Sequence, residues 1–264
     1  MKKQPIGVFD SGIGGLTILR ALRRALPHEQ LIYFGDTANV PYGSKSKTAV
    51  TRLALNVAKF LETSGVKLIV VACNTASAQA LPALRKQLKV PVLGVIEPGA
   101  EAAVNVTKNH KIAVLGTQGT VESRAYVKAI AKHRQNAQVF QQACPLFVPL
   151  AEEGFAEKPA AKLIAQEYLA PVKASRADTV ILGCTHYPIL KNLIAQIMGP
   201  RVTLVDSADT LAHAVKQFLQ DNKINATQGR GRVKLYASDA PDKFTRSAQK
   251  LLGEKTAKAT LKKV

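Results

Sequence analysis

The sequence lacks tryptophan, long apolar runs and a dense set of cysteines. Its three cysteines are too few for a disulfide framework, and no C-x-x-C pair or H-E-x-x-H motif signals zinc. The longest purely apolar stretch, Leu68–Cys73, is far shorter than the ~20 residues that cross a bilayer. No secretory signal is visible. We therefore expect a cytoplasmic protein with free thiols, no metal site and no membrane span.

Acidic residues are also scarce, with 18 Asp and Glu against 37 Lys and Arg, and the formal net charge is +19. Such a charge favours binding to nucleic acid or to anionic surfaces. However, only 5% of the residues are aromatic, and no zinc-finger or RNP-type motif accompanies the charge. A solvated basic surface explains it more simply, so nucleic-acid binding stays an alternative without motif support.

Motifs of several common enzyme classes are absent. The glycine-rich segment Asp10–Gly15 is not a dinucleotide fingerprint, because Thr17 stands where the third glycine is required. An aspartyl-phosphate phosphatase would need a second aspartate where Gly12 stands, and a cysteine phosphatase would need arginine where Gln79 or Leu190 stands. These absences disfavour dinucleotide-dependent enzymes and both classes of phosphatase.

Short apolar runs alternate with segments of helical periodicity, and 47% hydrophobic residues suffice for a sizeable core. The predicted strands are Ile6–Phe9, Leu31–Phe34, Leu68–Ala72, Val92–Ile96, Ile112–Leu115, Val180–Leu182, Val202–Val205 and Val233–Tyr236. The helical stripes are Leu16, Leu19, Leu22 and Leu26; Val50, Leu53, Val57 and Leu61; and Ile189, Leu190, Leu193 and Ile197. This alternation predicts an α/β fold in which helices cover parallel sheets.

Two pairs of segments indicate related halves. Leu68–Thr75 resembles Thr179–His186, and Gly7–Gly12 resembles Ala113–Gln118 at nearly the same offset. In open parallel sheets, ligands bind beyond the carboxyl ends of the strands. The polar residues that follow these strands would therefore converge on one cleft if the two halves face each other.

A cysteine follows a buried strand in each half. Cys73 precedes Asn-Thr and Cys184 precedes Thr-His, so each lies where a helix would begin. A helix N-terminus lowers the pKa of a thiol, because its dipole and free N–H groups stabilise the thiolate. One thiolate and one thiol can invert a stereocentre by removing a proton from one face and delivering another to the opposite face. The pair therefore predicts a racemase-type enzyme.

A free cysteine is only a few per cent thiolate at pH 7, so neighbouring ionisable groups must assist it. The candidates are Asp10 for the first thiol and His186 for the second, with Glu152 as a third. The choice between Glu152 and Glu153 stays open from the sequence. The third cysteine, Cys144, has no partner motif and is interpreted as structural.

At these positions the sequence resembles the glutamate racemases of the aspartate/glutamate racemase superfamily. The similarity runs in family order from residue 6 to about residue 210. Its most specific parts are the Cys-Asn-Thr and Gly-Cys-Thr-His-Tyr-Pro blocks. The matching blocks are Phe9–Gly15, Gly35–Gly43, Cys73–Ser77, Glu97–Gly99, Gly116–Thr117 with Thr120, Cys144–Leu146, Pro149 with Glu152–Gly154, and Leu182–Pro188.

The resemblance implies a cofactor-independent isomerase that interconverts L- and D-glutamate and supplies D-glutamate for peptidoglycan. Neither pyridoxal phosphate nor a metal is expected. The implied fold has two pseudo-symmetric, doubly wound parallel-sheet α/β domains, residues 1–97 plus 208–264 and residues 98–207, with the active site in the cleft between them. We further expect a homodimer.

In such enzymes the first cysteine acts on the D-isomer and the second on the L-isomer, which implies those roles for Cys73 and Cys184. The implied supporting ionisable groups are Asp10, Glu152 and His186. The substrate contacts that carry over are Asp10, Ser11, Tyr42, Gly43, Asn74, Thr75, Thr117, Thr120, Thr185 and His186.

The site motifs contain no lysine or arginine. Substrate carboxylates would therefore be held by hydroxyl groups and by backbone N–H groups at helix starts. The nearest alternative is a racemase of the same superfamily that acts on aspartate, although the motifs around Tyr42 and His186 favour glutamate. A single-thiol decarboxylase relative is disfavoured because both cysteines are present.

Overall fold

The computed structural model describes residues 2–253 and 258–264. The strands are β1 (Ile6–Asp10), β2 (Leu31–Gly35), β3 (Leu68–Val71), β4 (Val92–Gly94), β5 (Lys111–Gly116), β6 (Gln138–Ala143), β7 (Thr179–Gly183), β8 (Thr203–Asp206), β9 (Val233–Ala237) and β10 (Thr260–Leu261). The α-helices are α1 (Leu16–Ala25), α2 (Lys47–Thr63), α3 (Asn74–Gln87), α4 (Ile96–Val106), α5 (Gln118–Ser123), α6 (Ala125–His133), α7 (Phe147–Glu152), α8 (Pro159–Ala174), α9 (Lys191–Met198), α10 (Ser207–Asp221) and α11 (Pro241–Leu252). Short 3-10 helices span Thr37–Asn39, Tyr42–Ser44 and Tyr187–Leu190.

Within the described residues, the strands form two sheets whose neighbouring strands are all parallel. The first sheet has the order β10-β9-β2-β1-β3-β4 and the second the order β6-β5-β7-β8. The run β2-β1-β3-β4 thus corresponds strand by strand to β6-β5-β7-β8. One of the segment pairs that indicated related halves includes residues of β1 and β5, and the other includes β3 and β7. The strands of each pair occupy equivalent places in their sheets. The predicted α/β class with two parallel-sheet units is confirmed.

The central strands carry continuous apolar runs because helices cover both of their faces. Every residue of β1, β3 and β7 is buried. Helix α1 follows the predicted stripe and buries its leucines towards the sheet. One cluster of buried side chains joins the halves, since it includes Leu22 and Leu211 together with Val114 and Ile181 of the second sheet. The two halves therefore share an apolar junction beside the polar strand ends.

Two strands and one boundary differ from the sequence prediction. Strand β6 was not predicted, because three glutamines interrupt its apolar residues. It lies at the edge of its sheet and has no fully buried residue. Strand β10 is an exposed pair of residues at the opposite edge of the first sheet. The predicted strand Val92–Ile96 ends at Gly94, because Ile96 already begins α4.

No helix in the two described ranges combines the length and the apolar character that crossing a bilayer requires. The same residues contain no group of three or more His, Cys, Asp or Glu side chains placed to hold a metal ion. Strands of the first sheet fall within 1–97 and 208–264, and those of the second within 98–207. The domain boundaries themselves stay a prediction.

Candidate active site

The polar residues after the strands of both sheets meet around one small cavity of about 20 Å³, which is room for about one water molecule. The predicted site residues that line it are Ser11, Tyr42, Gly43, Cys73, Asn74, Thr75, Thr117, Cys184, Thr185 and His186. The other lining residues are Val40, Pro41 and Val148. The predicted site residues behind this lining are Asp10, Thr120 and Glu152.

Cys73 caps the N-terminus of α3, as the sequence predicts. Its Sγ accepts a hydrogen bond from the backbone N–H of Ala76 at 3.4 Å and lies 3.9 Å from the Ser11 hydroxyl. Burial, reinforced by the nearby carboxylate of Asp10, raises the pKa of Cys73 to about 12. The expected lowering of this pKa by the helix start is wrong in net effect, because the loss of solvent outweighs the Ala76 hydrogen bond. Cys73 is therefore a protonated thiol at neutral pH.

Cys184 follows β7 directly, but no α-helix begins there. Its carbonyl accepts from the backbone N–H of Tyr187 at 3.1 Å, and the chain enters the 3-10 helix Tyr187–Leu190 before α9. Pro188 has no N–H with which to make the α-helical bond to that carbonyl. The predicted helix start at Cys184 is therefore wrong, whereas the position after a buried strand is confirmed.

His186 connects Cys184 to Glu152. Its Nδ1 lies 3.8 Å from the Cys184 Sγ, and its Nε2 lies 3.0 Å from Oε1 of Glu152 at the end of α7. Burial alone would lower the pKa of His186, but the hydrogen bonds to Cys184 and Glu152 raise it to about 10. The ring is therefore an imidazolium at neutral pH. The geometry places Glu152, rather than Glu153, on this ring.

Asp10 accepts hydrogen bonds from residues of both halves. Its Oδ2 accepts from the backbone N–H of Gly12 at 3.0 Å, and its Oδ1 accepts from the Thr185 hydroxyl at 3.2 Å. The carboxylate is completely buried. It acts on Cys73 through its charge, which raises the pKa of that thiol. Asp10 therefore has a place beside both strand ends rather than beside the first thiol alone.

Three threonine hydroxyls form a cluster across the cleft. Oγ1 of Thr75, at the start of α3, lies 2.8 Å from Oγ1 of Thr117, which in turn lies 3.0 Å from Oγ1 of Thr120. Thr117 caps α5 by accepting from the backbone N–H of Thr120. Gly43 packs so tightly here that a Cβ on it would fall 2.6 Å from the Cβ of Thr117. The absence of a side chain at Gly43 thus lets the halves close.

Two further predicted residues have one polar group already engaged. The Tyr42 hydroxyl donates to Oδ2 of Asp36 at 2.6 Å, so it is not available to a ligand in this arrangement. Oδ1 of Asn74 accepts from the Tyr126 hydroxyl at 2.7 Å. Nδ2 of Asn74 is buried and has no hydrogen-bond partner within the described part of the chain. Asn74 therefore offers a free donor at the cavity.

The family description Asp/Glu/Hydantoin racemase matches residues 11–215 of this sequence. A glutamate racemase of Geobacter metallireducens is 49% identical over 256 residues, which cover 97% of this chain and 95% of that protein. The chain belongs to the Asp/Glu/hydantoin racemase family. It is thus an isomerase of the racemase type.

Solved structures of family members have the same fold. The glutamate racemase isoform RacE1 of Bacillus anthracis is 36% identical with a TM-score of 0.97, and the alignment covers 100% of this chain and 99% of that one. A glutamate racemase of Francisella tularensis, solved in complex with D-glutamate, is 38% identical with a TM-score of 0.93, over 99% and 98% of the two chains. These similarities agree with the two-sheet architecture described above.

The sequence prediction missed the apolar part of this racemase cavity. Val40 and Pro41 lie inside the matched block Gly35–Gly43, where only the polar and glycine positions had been selected. Val148 in α7 carries no motif that would reveal it. Cys144 is buried, and burial raises its pKa, which is consistent with a structural thiol.

No lysine or arginine is among the lining residues of the cavity that the structure describes. The donors among the lining side chains are hydroxyls, the free amide of Asn74 and the His186 imidazolium, whose two nitrogens already contact Cys184 and Glu152. His186 thus supplies the positive charge at the cavity, and the other donors are neutral.

Proposed function

We propose that this racemase interconverts L- and D-glutamate by moving the α-proton between Cys73 and Cys184. The observation that carries the proposal is that both thiols line one cavity, each from the end of an equivalent strand in its own half. Inverting a stereocentre needs two acid–base groups on opposite faces of the α-carbon. Two related halves that face each other supply such a pair.

The neighbours of each thiol suggest its role. Cys184, whose Sγ lies 3.8 Å from Nδ1 of the His186 imidazolium, is the base that takes the α-proton from L-glutamate, which leaves a carbanion. Cys73, held as a thiol by its raised pKa, then delivers its proton to the opposite face and becomes a thiolate. The same steps in reverse convert D-glutamate to L-glutamate, with Cys73 as the base. Protons balance in each direction without any other reactant.

Substrate binding is assigned to the neutral donors. We propose that the carboxylates of glutamate accept hydrogen bonds from Asn74 and from the hydroxyls of Ser11, Thr75, Thr117 and Thr185, with Thr120, Tyr42 and Gly43 completing the site. Asp10 and Glu152 orient Thr185 and His186. The cavity of about 20 Å³ is much too small for glutamate, so the halves must separate to admit it.

The reaction is proposed to be independent of a cofactor, because the two thiols supply both proton transfers. A pyridoxal phosphate mechanism would require a lysine for a Schiff base, and none is among the described residues that line the cavity. The similarity to glutamate racemases supports glutamate, rather than aspartate, as the substrate of this protein. We propose further that the protein is a cytoplasmic homodimer that supplies D-glutamate for peptidoglycan.

The test follows the α-proton in deuterated solvent under reducing conditions. Purified protein stripped of small molecules should exchange the α-proton of glutamate and racemise it, and should do so much more slowly with aspartate. Cys73→Ala and Cys184→Ala should each abolish racemisation, because one of the two proton-transfer groups is gone. Normal racemisation by either variant would contradict the two-thiol assignment, and no exchange by the unmodified protein would contradict the racemase activity on glutamate.

A further inference from the structure

Tyr126 links the two halves directly behind the cavity. It lies near the start of α6 in the second half and is completely buried. Its hydroxyl donates to Oδ1 of Asn74 at 2.7 Å, and Asn74 is the first residue of α3 in the other half. Asn74 also follows Cys73 directly in the chain. This hydrogen bond therefore reaches from one half to the residue beside the thiol of the other.

The hydrogen bond from Tyr126 fixes the orientation of the Asn74 side-chain amide. Burial raises the pKa of Tyr126 above its ordinary value, so the hydroxyl keeps its single proton. With that proton directed at Oδ1, the amide oxygen is the atom held behind the lining. Nδ2 is left on the other side, buried and without a partner in the described residues, on a side chain that lines the cavity. An unpaired buried donor is costly unless a ligand satisfies it.

The ring of Tyr126 is held by glycines that leave room for it. A Cβ on Gly183 would fall 3.2 Å from the ring, and a Cβ on Gly99 would fall 3.3 Å from it. Gly183 directly precedes Cys184. The ring is thus wedged against the turn that carries the second thiol while its hydroxyl holds the residue after the first. A ring fixed in this way keeps the hydroxyl at a defined position.

We propose that Tyr126 is a positioning residue that aims Nδ2 of Asn74 at a carboxylate of the substrate. The proposal rests on the proposed activity on glutamate. This role accounts for the hydrogen bond that the fully buried Tyr126 of α6 donates to a side-chain amide of the opposite half. It also explains why the amide keeps one donor unpaired.

The test is a double-mutant cycle with Tyr126→Phe and Asn74→Ala, assayed by racemisation and by the rise in melting temperature on adding D-glutamate. Tyr126→Phe keeps the ring and removes only the hydroxyl. We expect kcat/KM to fall about tenfold, mainly through a higher KM, as for the loss of one binding hydrogen bond. The melting temperature without ligand should fall by roughly a few degrees, because Oδ1 of Asn74 loses its buried partner. A purely structural role would stop at that fall and leave KM unchanged. In the Asn74→Ala background, Tyr126→Phe should have little further effect.

A matched control removes a tyrosine hydroxyl elsewhere. The hydroxyl of Tyr168 accepts from the backbone of Leu146 at 3.4 Å, away from the cavity, so Tyr168→Phe should leave kcat and KM unchanged. The positioning role would be overturned if Tyr126→Phe lowered kcat/KM by the same factor in the Asn74→Ala background as in the unmodified protein. Unchanged KM in Tyr126→Phe would overturn it as well. If the unmodified protein neither bound nor racemised glutamate, the proposed function would fail first, and the proposal on Tyr126 with it.

Discussion

Gly14 lies where any side chain would strike the imidazole of His186. A Cβ on Gly14 would fall 2.7 Å from both Nδ1 and Cε1 of the ring, about 0.7 Å short of the 3.4 Å at which ordinary contact begins. The ring cannot swing away freely, because Glu152 holds its Nε2 and the Thr185 hydroxyl crowds the same space. Gly14→Ala must therefore displace the ring from Cys184 or force the halves apart.

The loss of activity expected for Gly14→Ala can be estimated from these distances. Overpacking of a filled site costs about 1–3 kcal/mol, and misplacing a reacting group by about 1 Å can lower a rate about 100-fold. We therefore expect Gly14→Ala to lower kcat/KM for glutamate by roughly 10- to 100-fold. The loss should be equal for the two enantiomers, because the equilibrium constant of a racemisation is one.

The assay pairs racemisation rates with thermal unfolding, and Gly7→Ala is the control. A Cβ on Gly7 would fall 3.2 Å from side chains of Leu61 and Val66, at the end of β1 that lies away from the cavity. This control should lose stability with little change in kcat/KM. A kcat/KM in Gly14→Ala equal to that of the unmodified protein would refute the reasoning, since the position of His186 would then not depend on the space left by Gly14. Equal losses of activity in both variants would point to general destabilisation.

Two other predictions concern buried charge. Lys67 Nζ lies 2.6 Å from Oε2 of Glu29, and both side chains are buried. Lys67→Met should lower the free energy of unfolding in urea by about 3–5 kcal/mol, because Glu29 is left without its partner; a loss below about 1 kcal/mol would contradict this. The pKa of His186 is raised from 6.5 to about 10 by folding, so its stabilising effect is complete below about pH 6.5 and is lost as the pH rises through about 10. The difference in melting temperature between the unmodified protein and His186→Gln should therefore shrink between these pH values, and a constant or growing difference would argue against an imidazolium.

The sequence predicted most of the candidate site because its residues follow strands. In a parallel sheet the residues just beyond the carboxyl ends are brought together by topology alone, so Ser11, Cys73, Thr117 and Cys184 could be grouped before their positions were known. The choice of Glu152 over Glu153 needed the structure, because it depends on where α7 ends relative to His186. No local pattern carries that information.

What the sequence could not predict depends on packing between the halves. Tyr126 and Gly14 matter through contacts with residues far away in the chain. Tyr126 lies in no motif, and the glycine-rich block that contains Gly14 does not show which side chain occupies the space beside it. The direction of the Cys73 pKa shift was wrong because burial is a tertiary property that outweighs the local helix start. Strand β6 was missed for a related reason, since an edge strand with polar residues lacks the apolar signal of a central one.

Deuterium incorporation by the single-cysteine variants tests the central claim most directly. Cys184→Ala retains only Cys73 as a base, and Cys73→Ala retains only Cys184. The two-thiol account predicts that Cys184→Ala exchanges the α-proton of D-glutamate alone, that Cys73→Ala exchanges that of L-glutamate alone, and that neither variant racemises. Exchange of the same enantiomer by both variants would contradict two opposed thiols that serve opposite faces of the α-carbon.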